Sequence, residues 1–154
     1  MDNLKRSFNI DMEHQKDPGI RGPHGKDGPT IYYDGSCPLC CREIKFYRNM
    51  AGADNIAWYD VASSPASYPT TGLPREAALK RFHVRTAEGT LLSGAAGFAH
   101  LWLNLPRWRL LGVITSHRIV LPFAEAAYRL FLLVRPAAQA LARKFDHGQI
   151  SPSK

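Results

Sequence analysis

The sequence predicts an α/β fold, a small mixed sheet flanked by helices with additional C-terminal helices, and three observations lead to it. A β-type run, Thr30 to Tyr33, breaks at a turn into a helical pattern starting at Pro38, and a second β-type run follows at Asn55 to Asp60. A hairpin pattern centred on Gly89 comes after a long turn-rich connection and leads into another helix. The chain has 154 residues and is 45% hydrophobic, enough for one sizeable core and too apolar for global disorder.

Each element has its own signal. From Pro38 to about Met50, Cys40, Ile44, Tyr47 and Ala51 recur on one helical face, so the Cys40 side is predicted to be packed. The strand Asn55 to Asp60 is followed by Ala-Ser-Ser-Pro-Ala-Ser-Tyr-Pro-Thr-Thr-Gly, whose turn formers predict a loop. Leu79 to Arg85 alternates, with Phe82 and Val84 expected inward and Arg81, His83 and Arg85 outward. Gly89 supplies the turn to a partner strand at Thr90, Leu91 and Leu92. Ser93 is placed to cap a helix from Gly94 to about Leu103, which Pro106 prevents from running on. Two more helices are expected, from about Arg118 to Val134 and from Ala137 to Phe145.

Residues 30–147 read as one domain between two tails, 1–29 and 148–154. The first tail mixes Gly and Pro with five basic and five acidic residues and shows no sustained apolar period, so it is expected to be flexible. The formal charge of +7 therefore lies entirely in residues 30–154, with eight basic residues against two acidic ones after Gly94. No apolar stretch follows the opening Met-Asp-Asn-Leu-Lys-Arg, so no secretory leader is expected and the chain reads as cytoplasmic. Three cysteines, two in one motif, do not form a disulfide framework.

The chemistry concentrates at the first strand–turn–helix junction. Pro38 suits the first helical position, because the N–H it lacks would have no partner there. Cys37 then falls at the N-cap, where unpaired N–H groups and the positive end of the helix dipole favour thiolate over thiol. Cys37 is thus the expected nucleophile, exposed and acidic. Cys40 lies one turn on, within reach to resolve a mixed disulfide on Cys37. The competing readings are inert thiols or half of a zinc site. A zinc site needs two further ligands at short spacing, yet Cys41 is the only other cysteine and the six histidines are scattered singly. No metal and no cofactor are expected.

Asp34-Gly-Ser-Cys37-Pro-Leu-Cys40 resembles the signature of the DCC family of predicted thiol-disulfide oxidoreductases, whose name-giving Asp, Cys and Cys stand here as Asp34, Cys37 and Cys40. The resemblance continues through Trp58-Tyr-Asp-Val61, Phe82 to Gly89, Gly94-Ala-Ala-Gly97 and Leu105-Pro-Arg-Trp108, about residues 30 to 135. It implies a thioredoxin-like architecture and thiol-disulfide exchange. Tyr128 and Arg135 match the family pattern loosely; a core tyrosine and a helix-terminal arginine facing the dipole explain them equally well. Thioredoxin relatives place a cis-proline before the third strand, where its backbone binds substrate. Here Ala-Leu-Lys-Arg precedes Phe82, and Pro69 and Pro74 lie too far upstream for that place. The dipeptide Pro38-Leu39 is similar to the glutaredoxin pattern, so a protein disulfide or a glutathione-type thiol is the expected substrate, with an unidentified electron donor.

Asp34 has two readings: a proton carrier or tuning group for the cysteines, or an Asx turn that accepts loop N–H groups. A carboxylate near Cys37 would also raise that thiol's pKa. Cys41 could compete as a resolving thiol but reads first as a small buried hydrophobe. His83 and His117 read as surface or helix-start residues. A non-enzymatic alternative is a redox-sensing or interaction module with a basic C-terminal helical surface. There, Phe123, Ala127, Leu130, Phe131 and Val134 form an apolar stripe that reads first as a core-packing face and second as a membrane-surface contact. Glu125 and Arg129 interrupt the segment as a membrane span, and no nucleic-acid motif accompanies the charge. Truncation to begin at Pro29 is expected to leave the melting temperature near its full-length value; a large drop would show that the tail packs on the domain.

Overall fold

In the computed structural model, residues 28–67 and 69–147 are described; most of the N-terminal tail and all of the C-terminal one lie outside them. Strands β1 (Thr30–Tyr33), β2 (Ala57–Asp60), β3 (His83–Arg85) and β4 (Leu91–Ser93) form one mixed sheet in the order β2-β1-β3-β4. β1 runs parallel to β2, with Ile31 opposite Trp58, and antiparallel to β3, with Ile31 opposite Val84; β4 pairs antiparallel with β3. Helices α1 (Pro38–Arg48), α2 (Arg75–Lys80), α3 (Gly94–Leu103), α4 (Arg109–Ser116) and α5 (Val120–His147) flank the sheet, a thioredoxin-like arrangement.

The period-2 alternation of β1 sorts two cores. Ile31, fully buried, packs with Ile44 and Tyr47 of α1, Val84 of β3 and Leu101 of α3. Tyr32 points to the other face, against Val61, Leu73 and Ala78. The aromatic residues of the first core stack in series: Phe82 lies 4.0 Å from Phe98, which contacts Trp102, which contacts Trp108. The indole N–H of Trp102 donates to the Tyr47 hydroxyl at 3.0 Å, so the chain of rings keeps its polar atom satisfied inside the core.

Four expectations need correction. The alternating run at Leu79 to Arg85 is only a three-residue strand, because Leu79 and Lys80 finish α2; Arg-Glu-Ala-Ala-Leu-Lys after Pro74 is rich in helix formers, which decided the matter locally. His83 is buried rather than outward, since β3 is an interior strand with both faces covered, and its Nδ1 meets the Arg81 carbonyl at 2.9 Å. The helix α4 had no counterpart among the elements expected from the sequence. Ala51 lies beyond the end of α1 and is exposed.

The C-terminal segment departs most. A single 28-residue helix runs through Pro136, where two were expected. A proline inside a helix removes one backbone bond and costs about 3 kcal/mol, so tertiary contacts on both sides of it must compensate. The apolar stripe read as the packing face also points the other way. Phe123, Leu130 and Val134 are exposed, and Ala124, Tyr128, Leu132, Arg135 and Gln139 turn toward the domain. The helix is apolar nearly all round, so periodicity could not choose a face; the hydrogen bonds of its few polar residues did.

Ser93 is the N-cap of α3 by position, but its side chain makes no capping bond. Glu125 of α5 caps the helix instead. One of its oxygens accepts the Ala95 N–H at 3.1 Å, and the other bonds Arg81 at 2.5 Å and Arg129 at 3.0 Å. Gly94 makes room for this, because its φ of +59° is left-handed and a Cβ there would meet Arg81 and the Glu125 carboxylate at 2.4 Å. Glu125→Ala is therefore expected to lower stability by about 1–2 kcal/mol, and Ser93→Ala by less than about 0.5 kcal/mol, both read from urea unfolding. Equal losses would reject the displaced cap.

Candidate active site

The loop between β1 and α1 is built around two carboxylates. Asp34 Oδ1 accepts the Ser36 N–H at 3.0 Å and the Ser36 hydroxyl at 2.6 Å, and the Asp34 carbonyl accepts the Cys37 N–H at 3.2 Å. This is the Asx turn, one of the two readings the sequence left open. Asp60, at the end of β2, accepts the N–H groups of Gly35 at 3.0 Å and Ala62 at 2.9 Å. A Cβ at position 35 would lie 2.2 Å from that carboxylate, so only glycine lets the loop approach so closely. Asp60 thus ties the dithiol loop to the neighbouring strand, a role that sequence reasoning missed because nothing in Trp58-Tyr-Asp-Val61 says where the carboxylate points.

Cys37 is the N-cap of α1, with φ −92° and ψ 114°, and its sulfur accepts the Cys40 N–H at 3.3 Å. Both cysteines are present as free thiols. The expectation that Cys37 is exposed does not hold: the residue is 1% accessible. Its cover comes from α5, whose Gln139 donates from Nε2 to the sulfur at 3.0 Å. Cys40 is half-buried and receives Arg135 Nη2 at 3.3 Å. The same guanidinium nitrogen meets Asp34 Oδ2 at 3.3 Å, and Nη1 reaches the carbonyls of Lys80 at 3.2 Å and Leu79 at 3.4 Å. Asp34 therefore holds the turn with one oxygen and joins the dithiol site, through Arg135, with the other.

These surroundings separate the two thiols. Burial alone would push Cys37 up, but hydrogen bonds from the Cys40 thiol and N–H, from Arg135 and from Gln139 bring it below the ordinary thiol value. Cys40 is pushed up to about 12, first by burial and then because its proton is engaged by Cys37; the Arg135 charge only partly opposes this. Cys41 is also raised, mainly by burial and then by Asp60, and its thiol donates to the Gly35 carbonyl at 3.1 Å. It serves as a loop fastener, half-buried and away from the Arg135 and Gln139 donors.

The place before β3 is closed as well. The Phe82 N–H donates to the Tyr128 hydroxyl at 2.9 Å, and the Phe82 carbonyl accepts the Gly94 N–H at 3.0 Å, so both backbone groups are occupied. A cavity of about 40 Å³, bordered by Asp34, Cys40, Phe82, Tyr128 and Arg135, remains on the Cys40 side. That is room for a few waters, not for a substrate chain. His83 and His117 bond the Arg81 carbonyl and the Ile119 N–H and make no contact with the thiols. Among the described residues no cluster of three or more His, Cys, Asp or Glu could hold a metal ion.

Two of the residues that shape the site, Arg135 and Gln139, stand about one hundred positions from the cysteines. Arg135 is not helix-terminal but lies inside α5, and the helix end it faces is that of α2, at the Leu79 and Lys80 carbonyls, not that of its own helix. Gln139 carried no motif signal at all. Besides the loose family match of Tyr128 and Arg135, the sequence held a clue in spacing: Tyr128, Arg135 and Gln139 share one face of a largely apolar helix.

The family model of DCC1-like thiol-disulfide oxidoreductases matches residues 31–140, a span that opens inside β1 and closes just past Gln139. No match is found among curated proteins or among solved structures. By the extent of the family match, which takes in both cysteines and the helical face that covers them, the chain belongs to the DCC1-like thiol-disulfide oxidoreductase family.

Proposed function

We propose that the protein reduces or exchanges disulfides through Cys37 as nucleophile and Cys40 as resolving thiol. The observation that carries this reading is the placement of the two sulfurs: Cys37 at the helix N-cap accepts the Cys40 N–H and Gln139 Nε2, and Cys40, three residues on, is packed against Arg135, which lowers the first thiol and leaves the second raised. The Cys37 thiolate attacks a substrate disulfide; a Cys37–substrate bond forms and the first substrate sulfur leaves as thiolate. Cys40 then gives its proton to that thiolate and attacks the Cys37 sulfur, releasing the second substrate thiolate. The substrate gains two electrons and the enzyme ends as a Cys37–Cys40 disulfide. Arg135, in contact with Cys40, stabilises the negative charge that develops as its proton leaves. Asp34 holds Arg135 in place and is in this scheme a positioning residue, not the proton acceptor. A protein disulfide or a glutathione adduct fits the chemistry. In either case Gln139 must swing off the Cys37 sulfur before attack.

Cys40→Ser is expected to accumulate a mixed disulfide with substrate on non-reducing gels, because the attacking sulfur remains and the resolving one is gone, whereas Cys37→Ser accumulates none. Adducts that persist in Cys37→Ser would reverse the assignment. Digestion of the oxidised wild-type chain should yield a Cys37–Cys40 link, and a dominant Cys37–Cys41 link would sink the proposed pair.

Alkylation against pH tests the Gln139 contact. Thiolate is the reactive form, so a lowered Cys37 pKa keeps alkylation fast to lower pH than for a free cysteine. Gln139→Ala removes one donor and the cover together. In the Cys40→Ser background its Cys37 profile should shift to higher pH while the high-pH plateau rate increases. A profile unchanged in both respects would mean that Gln139 neither tunes nor shields the sulfur.

A further inference from the structure

A helix whose polar residues point into the protein leaves its apolar side outside. Along α5 and the residue before it, Ile119, Phe123, Leu130, Leu133, Val134 and Leu141 are 53–77% exposed. At 3.6 residues per turn they fall on one side of the helix, opposite Tyr128, Arg135 and Gln139. The residues between them on that side are alanines at 126, 127 and 137, so no charge interrupts the stripe over about 33 Å of helix. α4, joined to α5 through a bend of 102°, carries exposed apolar residues of its own, Leu110, Val113 and Ile114, each at least 48% exposed. Contiguous apolar surface of this extent marks a docking face.

The charges around it identify the partner. Residues 106–142 contain five arginines and one acid, Glu125, which is bonded to Arg81 and the Ala95 N–H on the packed side and to Arg129 at the edge. Arg107, Arg109, Arg118 and Arg129 are exposed. Arg118 and Arg129, eleven residues apart, border the same edge of the stripe, and Arg107 and Arg109 stand at the start of α4. An apolar face bordered by arginines, its one nearby acid shared between Arg81 and Arg129, is complementary to anionic headgroups above hydrocarbon. No single helix among the described residues is long and apolar enough to cross a membrane, and although α4 and α5 together have the length and composition of a bent span, α5 keeps Tyr128, Arg135 and Gln139 bonded to the domain, which fits an in-plane orientation. A second copy is the competing occupant, because Phe123, Ala127, Leu130, Val134, Ala137 and Leu141 repeat at alternating spacings of four and three. A two-helix seam, however, is narrow and flanked by charged pairs, whereas here Ala126, Leu133 and Ala140 widen the apolar face.

We infer that the outward face of α5, aided by the exposed apolar residues of α4, seats the protein in the plane of an anionic lipid surface. Because the opposite face of α5 supplies Arg135 and Gln139 to the thiols, the dithiol then lies about one helix diameter, roughly 10 Å, from the lipid. The docking itself does not depend on the redox reading.

Sedimentation of the full-length protein with phosphatidylcholine vesicles, with and without about one-third phosphatidylglycerol, tests this. Binding is expected with phosphatidylglycerol and should weaken as salt is raised. Leu133→Gln and Leu130→Ser, checked for folding by circular dichroism, should each weaken it about tenfold, and Arg118→Gln with Arg129→Gln should weaken it on the anionic vesicles alone. Absence of binding to either vesicle overturns the inference, as does binding that neither salt nor the substitutions change. So does a dimer dissolved by Leu130→Ser in a protein that ignores vesicles, since the second copy then owns the face. If a leucine variant does not fold, the lipid and salt contrasts of the wild-type chain decide alone.

Discussion

The guanidinium of Arg135 is the contact on which the rest of the site depends. It joins α5 to the dithiol loop through Asp34, to α1 through Cys40, and to the end of α2 through two carbonyls. Its partners lie 55 to 101 residues away in the chain, so the contact closes long loops and exists only when the domain is folded. Arg135 and Asp34 are each 14% exposed. A pair so shielded has given up much of its hydration, and its worth lies less in net stability than in geometry: if either partner is removed, the other is left with a charge to solvate. The planar fork also explains why arginine stands there, because one side chain satisfies a carboxylate, a sulfur and two carbonyls at once.

That contact reverses the usual logic of a surface helix. α5 turns its polar residues inward because they complete the hydrogen bonding of the sulfur atoms, of Asp34 Oδ2 and of the Phe82 N–H. The Glu125 carboxylate does the same nearer the start of the helix, capping α3 and pairing with Arg81. With these bonds made, tertiary contacts hold the helix on both sides of Pro136. The apolar side then has nowhere to go but outward. The exposed stripe is therefore a consequence of how the dithiol is covered, and the two features cannot be altered independently.

Coverage by α5 gives the dithiol its chemical character. Gln139 and Arg135 supply hydrogen bonds that a solvent-exposed N-cap cysteine would seek from water, in a setting where they are electrostatically stronger. The same helix occupies the Phe82 N–H through Tyr128. Reactivity and access are thus set by one element, and the part of α5 that bears Gln139 lies just beyond Pro136, where one helical hydrogen bond is missing.

Local signals alone determined much of this protein. Thr30–Tyr33 as a strand, Pro38 at the start of α1, Cys37 at its N-cap and the hairpin about Gly89 all follow from conformational preferences acting within a few residues. The motif at Asp34, Cys37 and Cys40 was legible because its members lie within one turn and one helical turn of each other. Tertiary structure decided the remainder. Nothing near His83 announces that β3 is an interior strand, and Asp60 becomes a loop anchor only because β2 lies beside β1. The choice of face on α5 could not be read from its sequence, since an apolar helix presents no preferred side until Tyr128, Arg135 and Gln139 meet partners far away in the chain. Sequence specifies such a helix by periodicity only when its two faces differ in polarity; here hydrogen bonds that form only in the folded domain set its orientation.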